Sequence, residues 1–162
     1  PAILFVTTGF VEGEINSPLS QAQWQVQPIT WDMLGHLAES ELITLGAHTH
    51  THMGLADAPV DHLREELEVP IRLFRERLGL IPVHFAYPRG LWGTRADLLV
   101  RAHYRSAVVG EGRKVMANGF DAYRISRVPI RTSDGWPFFR LKLSGWLEAE
   151  ERMYDTWHRL KK

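Results

Sequence analysis

The sequence has no cysteine among its 162 residues. Disulfides and thiolate metal sites are therefore excluded, and any metal must be held by His, Asp, Glu or water. The same absence suits an oxidising or a reducing compartment. Excess charge is lacking too: 19 basic residues balance 19 acidic ones. A net charge of zero leaves no electrostatic reason to expect a nucleic-acid or membrane-surface partner. No apolar run approaches the roughly 18 residues that a membrane helix needs. No repeat, low-complexity tract or interdomain linker is visible, so residues 1–162 are expected to form a single domain. With 44% hydrophobic and 23% charged residues, the composition is that of a globular chain with a real core. The first residue is Pro1, and no signal peptide precedes the apolar opening, so a fragment or a processed product is expected.

Read in order, the chain alternates. Ala2 to Thr7 is almost wholly apolar and predicts a strand buried on both faces, left by a turn at Thr8-Gly9-Phe10. Glu12 to Gln27 is polar and aperiodic, a long loop. Thr30 is placed to cap a helix that ends near Glu41. Leu42 to Leu45 predicts a strand, and Val60 to Leu78 a helix whose apolar face holds Leu63, Leu67, Ile71, Phe74 and Leu78. Pro70 should kink or split that helix, and Gly79 should cap it. A short strand follows from Val83. Thr94 is then placed to cap a helix through His103 with Leu98 and Leu99 facing the core. Ser106 to Val109 and Tyr123 to Ile130 predict strands around a polar loop at Glu111 to Gly119. Trp136 to Leu143 and Trp146 to Leu160 predict helices. Strand alternating with helix argues for a parallel α/β sheet, whose functional residues gather in the loops after the strands.

Two such loops stand out. His48-Thr49-His50-Thr51-His52 follows directly on the strand ending at Leu45. In a helical turn, His48 and His52 share one face and reach one cation, while His50 points away. The competing reading is of solvated loop histidines, which three histidines in five residues after a strand disfavour. The second loop is Tyr87-Pro88-Arg89-Gly90, which reads either as part of a site or as a plain turn. Both lie past strand C-termini, so they are expected to face one another across a common mouth.

With both segments in view, the chain resembles the polysaccharide deacetylase family, the NodB-homology or carbohydrate esterase family 4 domain. Four stretches carry the resemblance: Pro1 to Phe10, Gly46 to His52 as a His-(Ser/Thr)-x-x-His motif, Phe85 to Gly90, and Arg124 to Ile130. The resemblance implies a distorted (β/α) barrel, incomplete at its N-terminus, that removes acetyl groups from N- or O-acetylated carbohydrate with a divalent metal. That metal would be zinc, with cobalt, nickel or manganese as alternatives. His48 and His52 would be its ligands, and Thr49 would steady their loop. Tyr87, Pro88 and Arg89 would line the substrate groove, with the backbone N–H of Arg89 as an oxyanion donor. The partner would be an acetylated polysaccharide or oligosaccharide, and the setting secreted or cell-envelope.

Several features depart from the pattern. The family's Thr-Phe-Asp-Asp-Gly motif, source of the base and of a third metal ligand, is absent, as is a late Leu-x-His motif. Arg89 stands where Tyr is usual, and Ala86 where many members have Arg. Arg127 reads either as a partner of a site carboxylate or as a solvated strand arginine. The tryptophans read as core packing or as sugar-stacking surfaces, Trp92 being the best placed for a groove. A missing first strand would leave an open sheet edge, for a partner chain, a second copy or a lost segment to cover. Besides the deacetylase, a non-catalytic carbohydrate-binding relative and a hydrolase of a non-sugar linear amide stay open.

Overall fold

The computed structural model describes residues 1–15, 27–110 and 120–144. The predicted loop at Glu111 to Gly119, the helix at Trp146 to Leu160 and most of the loop after Glu12 fall outside them.

The chain opens with strand β1 (Ala2–Val6) and a one-turn helix α1 (Thr8–Glu12), where a turn was expected. Helix α2 (Trp31–Ala38) follows; the Thr30 hydroxyl accepts from the Met33 N–H, as the cap reading required. Strand β2 (Ile43–Ala47) leads to the long helix α3 (Val60–Leu78). Strand β3 (His84–Ala86) runs through a 3₁₀ turn at Pro88–Gly90 into helix α4 (Thr94–His103). Strands β4 (Ser106–Val109) and β5 (Ile125–Ser126) and helix α5 (Trp136–Ser144) complete the described part. The five strands form one sheet in the order β1-β2-β3-β4-β5, each pair parallel. Sequential order with parallel pairing requires every connection to cross over by a helix or long loop, which the alternating pattern foretold.

Registers across the central strands bring Ala47 beside Phe85 and Phe85 beside Ala107. Small residues on β2 and β4 thus flank a large one on β3, and Phe85 fills the layer beneath α3 and α4 with Leu63, Leu67 and Val100. A second cluster joins Val6, Leu34, Leu45 and Phe74, with the Trp31 ring edge-on to Phe74 at 5.8 Å. Burying each large side chain contributes about 1.5–3 kcal/mol. A Cβ at Gly46 would lie 2.7 Å from the Phe5 ring and 3.0 Å from His84 O, so a larger residue there forces a shift.

Four expectations are corrected. Among the described residues β1 is an edge strand, paired only with β2, and Ile3 and Leu4 are 43% and 36% exposed rather than buried on both faces. Helix α3 is one continuous helix through Pro70, whose ring is buried; Gly79 caps it in the left-handed conformation, as expected. Leu98 is 65% exposed, because α4 buries Ala96, Asp97 and Val100 instead. Strand β5 is only Ile125–Ser126, lying at the other sheet edge just before Pro129, which has no N–H to continue a ladder.

Candidate metal-binding mouth

Strand β2 delivers His48 to the C-terminal end of the sheet. Its backbone N–H donates to Val6 O at 2.9 Å, and its carbonyl accepts from the hydroxyls of Thr7 and Thr49 at 3.0 and 2.5 Å. Its ring Nδ1 lies 2.7 Å from Ala86 O at the end of β3. A carbonyl only accepts, so Nδ1 carries the proton and Nε2 keeps its lone pair. Metal-ligating histidines are oriented in this way. Burial is the main force lowering the His48 pKa; the Ala86 bond opposes it, and the nearby His52 and Arg127 charges reinforce it. The ring is thus held neutral, the form that binds metals.

The His52 ring centroid lies 4.9 Å from that of His48, with planes at 71°. The residues between do not form the helical turn that the spacing suggested. Thr49 and His52 both adopt left-handed backbone, at φ 65° and 63°, and Thr49 Oγ1 accepts from the His52 N–H at 3.0 Å. Thr49 therefore touches both histidines and steadies their loop. The His52 pKa is also lowered, chiefly by burial and next by the Arg89 charge, against the attraction of Glu66.

His50 points away from the pair, as expected, and is buried. Its Nε2 lies 2.8 Å from a Glu14 carboxylate oxygen and its Nδ1 2.9 Å from Thr8 Oγ1. Gly9 closes this side: its N–H donates to His50 O at 2.8 Å, and a Cβ there would stand 2.6 Å from that oxygen. From below, Glu66 of α3 accepts from His50 N, Thr51 N and Thr51 Oγ1 at 3.0, 2.9 and 2.5 Å.

The second loop meets this one across the Ala86 bond. Arg89 is exposed at φ 56° and close enough to His52 to act on its charge. Tyr87 and Pro88 are buried, so neither side chain lines an open groove. The Tyr87 hydroxyl donates to Asp97 Oδ1 at 3.3 Å, and burial pushes the phenol pKa up. Trp92 is half-buried against the core, with the Arg124 guanidinium 3.6 Å over its ring. That face of the indole is covered by the guanidinium. Arg127 directly follows β5, its Nε 3.4 Å from Val109 O; among the described residues no carboxylate pairs with it.

The donor set fits a zinc-like cation in part. His48 and His52 converge, but the described residues contain no group of three or more His, Asp or Glu side chains able to hold a metal. A catalytic zinc usually takes three protein ligands, and the described residues bring two of them together. Glu66 and Asp97 were missed in the sequence. The signal for Glu66 was there: it falls in the apolar stripe between Leu63 and Pro70, where an acid is anomalous.

A family model described as polysaccharide deacetylase matches residues 1–107. No match is found among curated proteins. Among solved structures, the Streptococcus pyogenes deacetylase PplD, in complex with acetate, is similar with a TM-score of 0.68 and 18% identity over 86% of this chain and 57% of its own. BC0361, a polysaccharide deacetylase from Bacillus cereus, gives 0.71 and 15% over 86% and 40%. IcaB from Ammonifex degensii gives 0.67 and 23% over 86% and 60%. At these identities the likeness shows the fold: the parallel α/β sheet is part of a NodB-type distorted barrel. The chain spans from 40% to 60% of the length of these structures.

Proposed function

The chain belongs to the polysaccharide deacetylase family, and from that membership we propose that it serves metal-dependent removal of acetyl groups from N- or O-acetylated carbohydrate. The observation that carries the metal reading is the His48–His52 pair, with His48 Nδ1 committed to Ala86 O and Nε2 left to ligate. His48 and His52 would hold a divalent cation, zinc or another metal that accepts imidazole donors such as cobalt, nickel or manganese. A cation bound there polarises the acetyl carbonyl and acidifies a bound water.

The chain's own residues do the rest. Thr49 fixes the spacing of the two rings. The Arg89 N–H, presented by the turn after β3, donates to the oxygen that becomes anionic as the carbonyl is attacked. Tyr87 holds that turn from beneath through Asp97. Arg127, beside His48, keeps the mouth electropositive and pairs with a carboxylate contributed from outside the described residues. The base and the third ligand have that same origin.

The test is acetate release from N-acetylglucosamine oligomers by the full gene product, with and without zinc, and with His48→Ala. Zinc-dependent release abolished by His48→Ala is the expected result. Binding of the oligomers with no release under any metal overturns the hydrolase reading. That outcome supports a carbohydrate-binding relative, a reading favoured by the incomplete ligand set among the described residues.

A further inference from the structure

Between the two left-handed residues Thr49 and His52 lie His50 and Thr51, and both turn their backbone N–H groups to one carboxylate. Glu66 reaches them from the second turn of α3 and is 4% exposed. A buried carboxylate needs donors, and a strained loop needs something to hold it. Here each meets the other's requirement. Oε2 takes both N–H groups and Oε1 takes the Thr51 hydroxyl. Both oxygens are thus engaged by the loop, so Glu66 shapes the site rather than ligating in it.

We infer that Glu66 is a positioning residue for the histidine pair. Acting through the His50–Thr51 backbone, its carboxylate sets the loop shape that brings the His48 and His52 rings to 4.9 Å. The inference deepens the metal reading above and rests on it for affinity; its effect on the loop stands apart from that reading. Helix α3 is anchored by Leu63, Leu67 and Phe74 in the core, so the acid arrives on a rigid support.

Four variants of the full chain test it. Glu66→Ala removes the acceptors. Glu66→Asp keeps the charge but falls one methylene short, and serves if the alanine variant does not fold. Glu66→Gln keeps all three contacts: its carbonyl accepts both N–H groups, and its NH₂ donates to a rotated Thr51 hydroxyl. Leu67→Ala loosens the same helix in the core cluster while leaving the Glu66 carboxylate and its three donors in place. Hydrogen exchange of the His50 and Thr51 amides reads the loop, zinc titration calorimetry reads the pair, and thermal melting reads the fold. The expected result is faster exchange and about 10- to 100-fold weaker zinc binding in Glu66→Ala and Glu66→Asp. Glu66→Gln stays near wild type, and Leu67→Ala melts lower with zinc affinity intact. Unchanged exchange in Glu66→Ala and Glu66→Asp overturns the inference, as does a Leu67→Ala variant that loses zinc equally. If the wild type binds no zinc, the metal reading falls alone, and exchange still decides whether Glu66 holds the loop.

Discussion

After β2, the loop bearing His48 and His52 is held by Glu66 of α3; after β3, the loop bearing Tyr87 to Gly90 is held by Asp97 of α4. Each acid is buried, and each reaches back from the helix that follows its own loop. The partners differ in kind. Glu66 is satisfied by two backbone amides and a hydroxyl of the loop itself. Asp97 is satisfied by the Tyr87 hydroxyl and by two cations, Arg101 Nε at 2.9 Å and Arg124 Nη2 at 2.8 Å. Arg101 also bonds Asp121, which ties α4 to the segment before β5. The first device therefore fixes backbone shape and holds Thr49 and His52 in conformations that cost about 1–3 kcal/mol each. The second fixes the position of one loop against its neighbours. Ligand geometry calls for the first; a wall of the mouth needs only the second.

The comparison is broken most severely at Gly90. Its φ is 71°, and a Cβ there would overlap the backbone of Gly110. The second loop thus meets its left-handed turn partly with glycine, whereas the first uses Thr and His under a carboxylate. Gly90→Ala should cost about 3–4 kcal/mol in urea unfolding, from strain and overlap together. Asp97→Ala comes next. It leaves the Arg101 and Arg124 guanidiniums with Asp121 as their remaining carboxylate and takes the Tyr87 hydroxyl's acceptor away. The arginines are partly solvated, so the cost should be about 2–4 kcal/mol rather than the upper end for a broken buried pair. A wild-type unfolding midpoint in either variant would show that the second loop does not depend on these contacts.

The charged device also carries a pH signature. Burial opposes ionisation of Asp97, but the Arg124 and Arg101 guanidiniums outweigh it and hold the carboxyl below its ordinary range. The folded state therefore keeps this proton off at pH values where the unfolded chain has taken it up. The stabilisation is complete above the unfolded value of about 3.9 and is lost as pH falls through the lower folded value. Urea midpoints of the wild type should drop more steeply below pH 4 than those of Asp97→Asn. Parallel curves would mean that Asp97 does not titrate with folding.

The boundaries of α3 and the histidine pair were legible because each rests on a local rule. Leu63, Leu67 and Phe74 mark one helical face and Gly79 ends it; His48 and His52 pair after a strand, though through left-handed backbone at Thr49 and His52 rather than the helical turn that their spacing suggested. What escaped depends on distant partners. Glu66 stands out as an acid in an apolar stripe, but its role, like that of Asp97, emerges only when the donors of the His50–Thr51 loop and of Arg124 are brought to them. The exposure of Ile3 and Leu4 is equally non-local: their composition is that of an inner strand, yet among the described residues β1 lies at a sheet edge, as a missing first strand would leave it. The family resemblance placed Tyr87 in the groove, and the inward partner of its hydroxyl, Asp97, shows only in the structure.

Leu98 gives the smallest effect and the finest discrimination. Apolar spacing alone turns it toward the core, which would swing the neighbouring Asp97 away from Tyr87. The structure has the opposite rotation, with Leu98 65% exposed and Asp97 5% exposed. Burying an acid in place of a leucine is unfavourable unless its charge is matched, and Arg101, Arg124 and Tyr87 supply that match. Leu98→Ala should then change stability by about 0.5 kcal/mol or less, as at an ordinary surface site. A loss of about 2 kcal/mol or more, typical of a buried leucine, would mean that α4 is turned the other way. Asp97 would then have no part in holding the second loop.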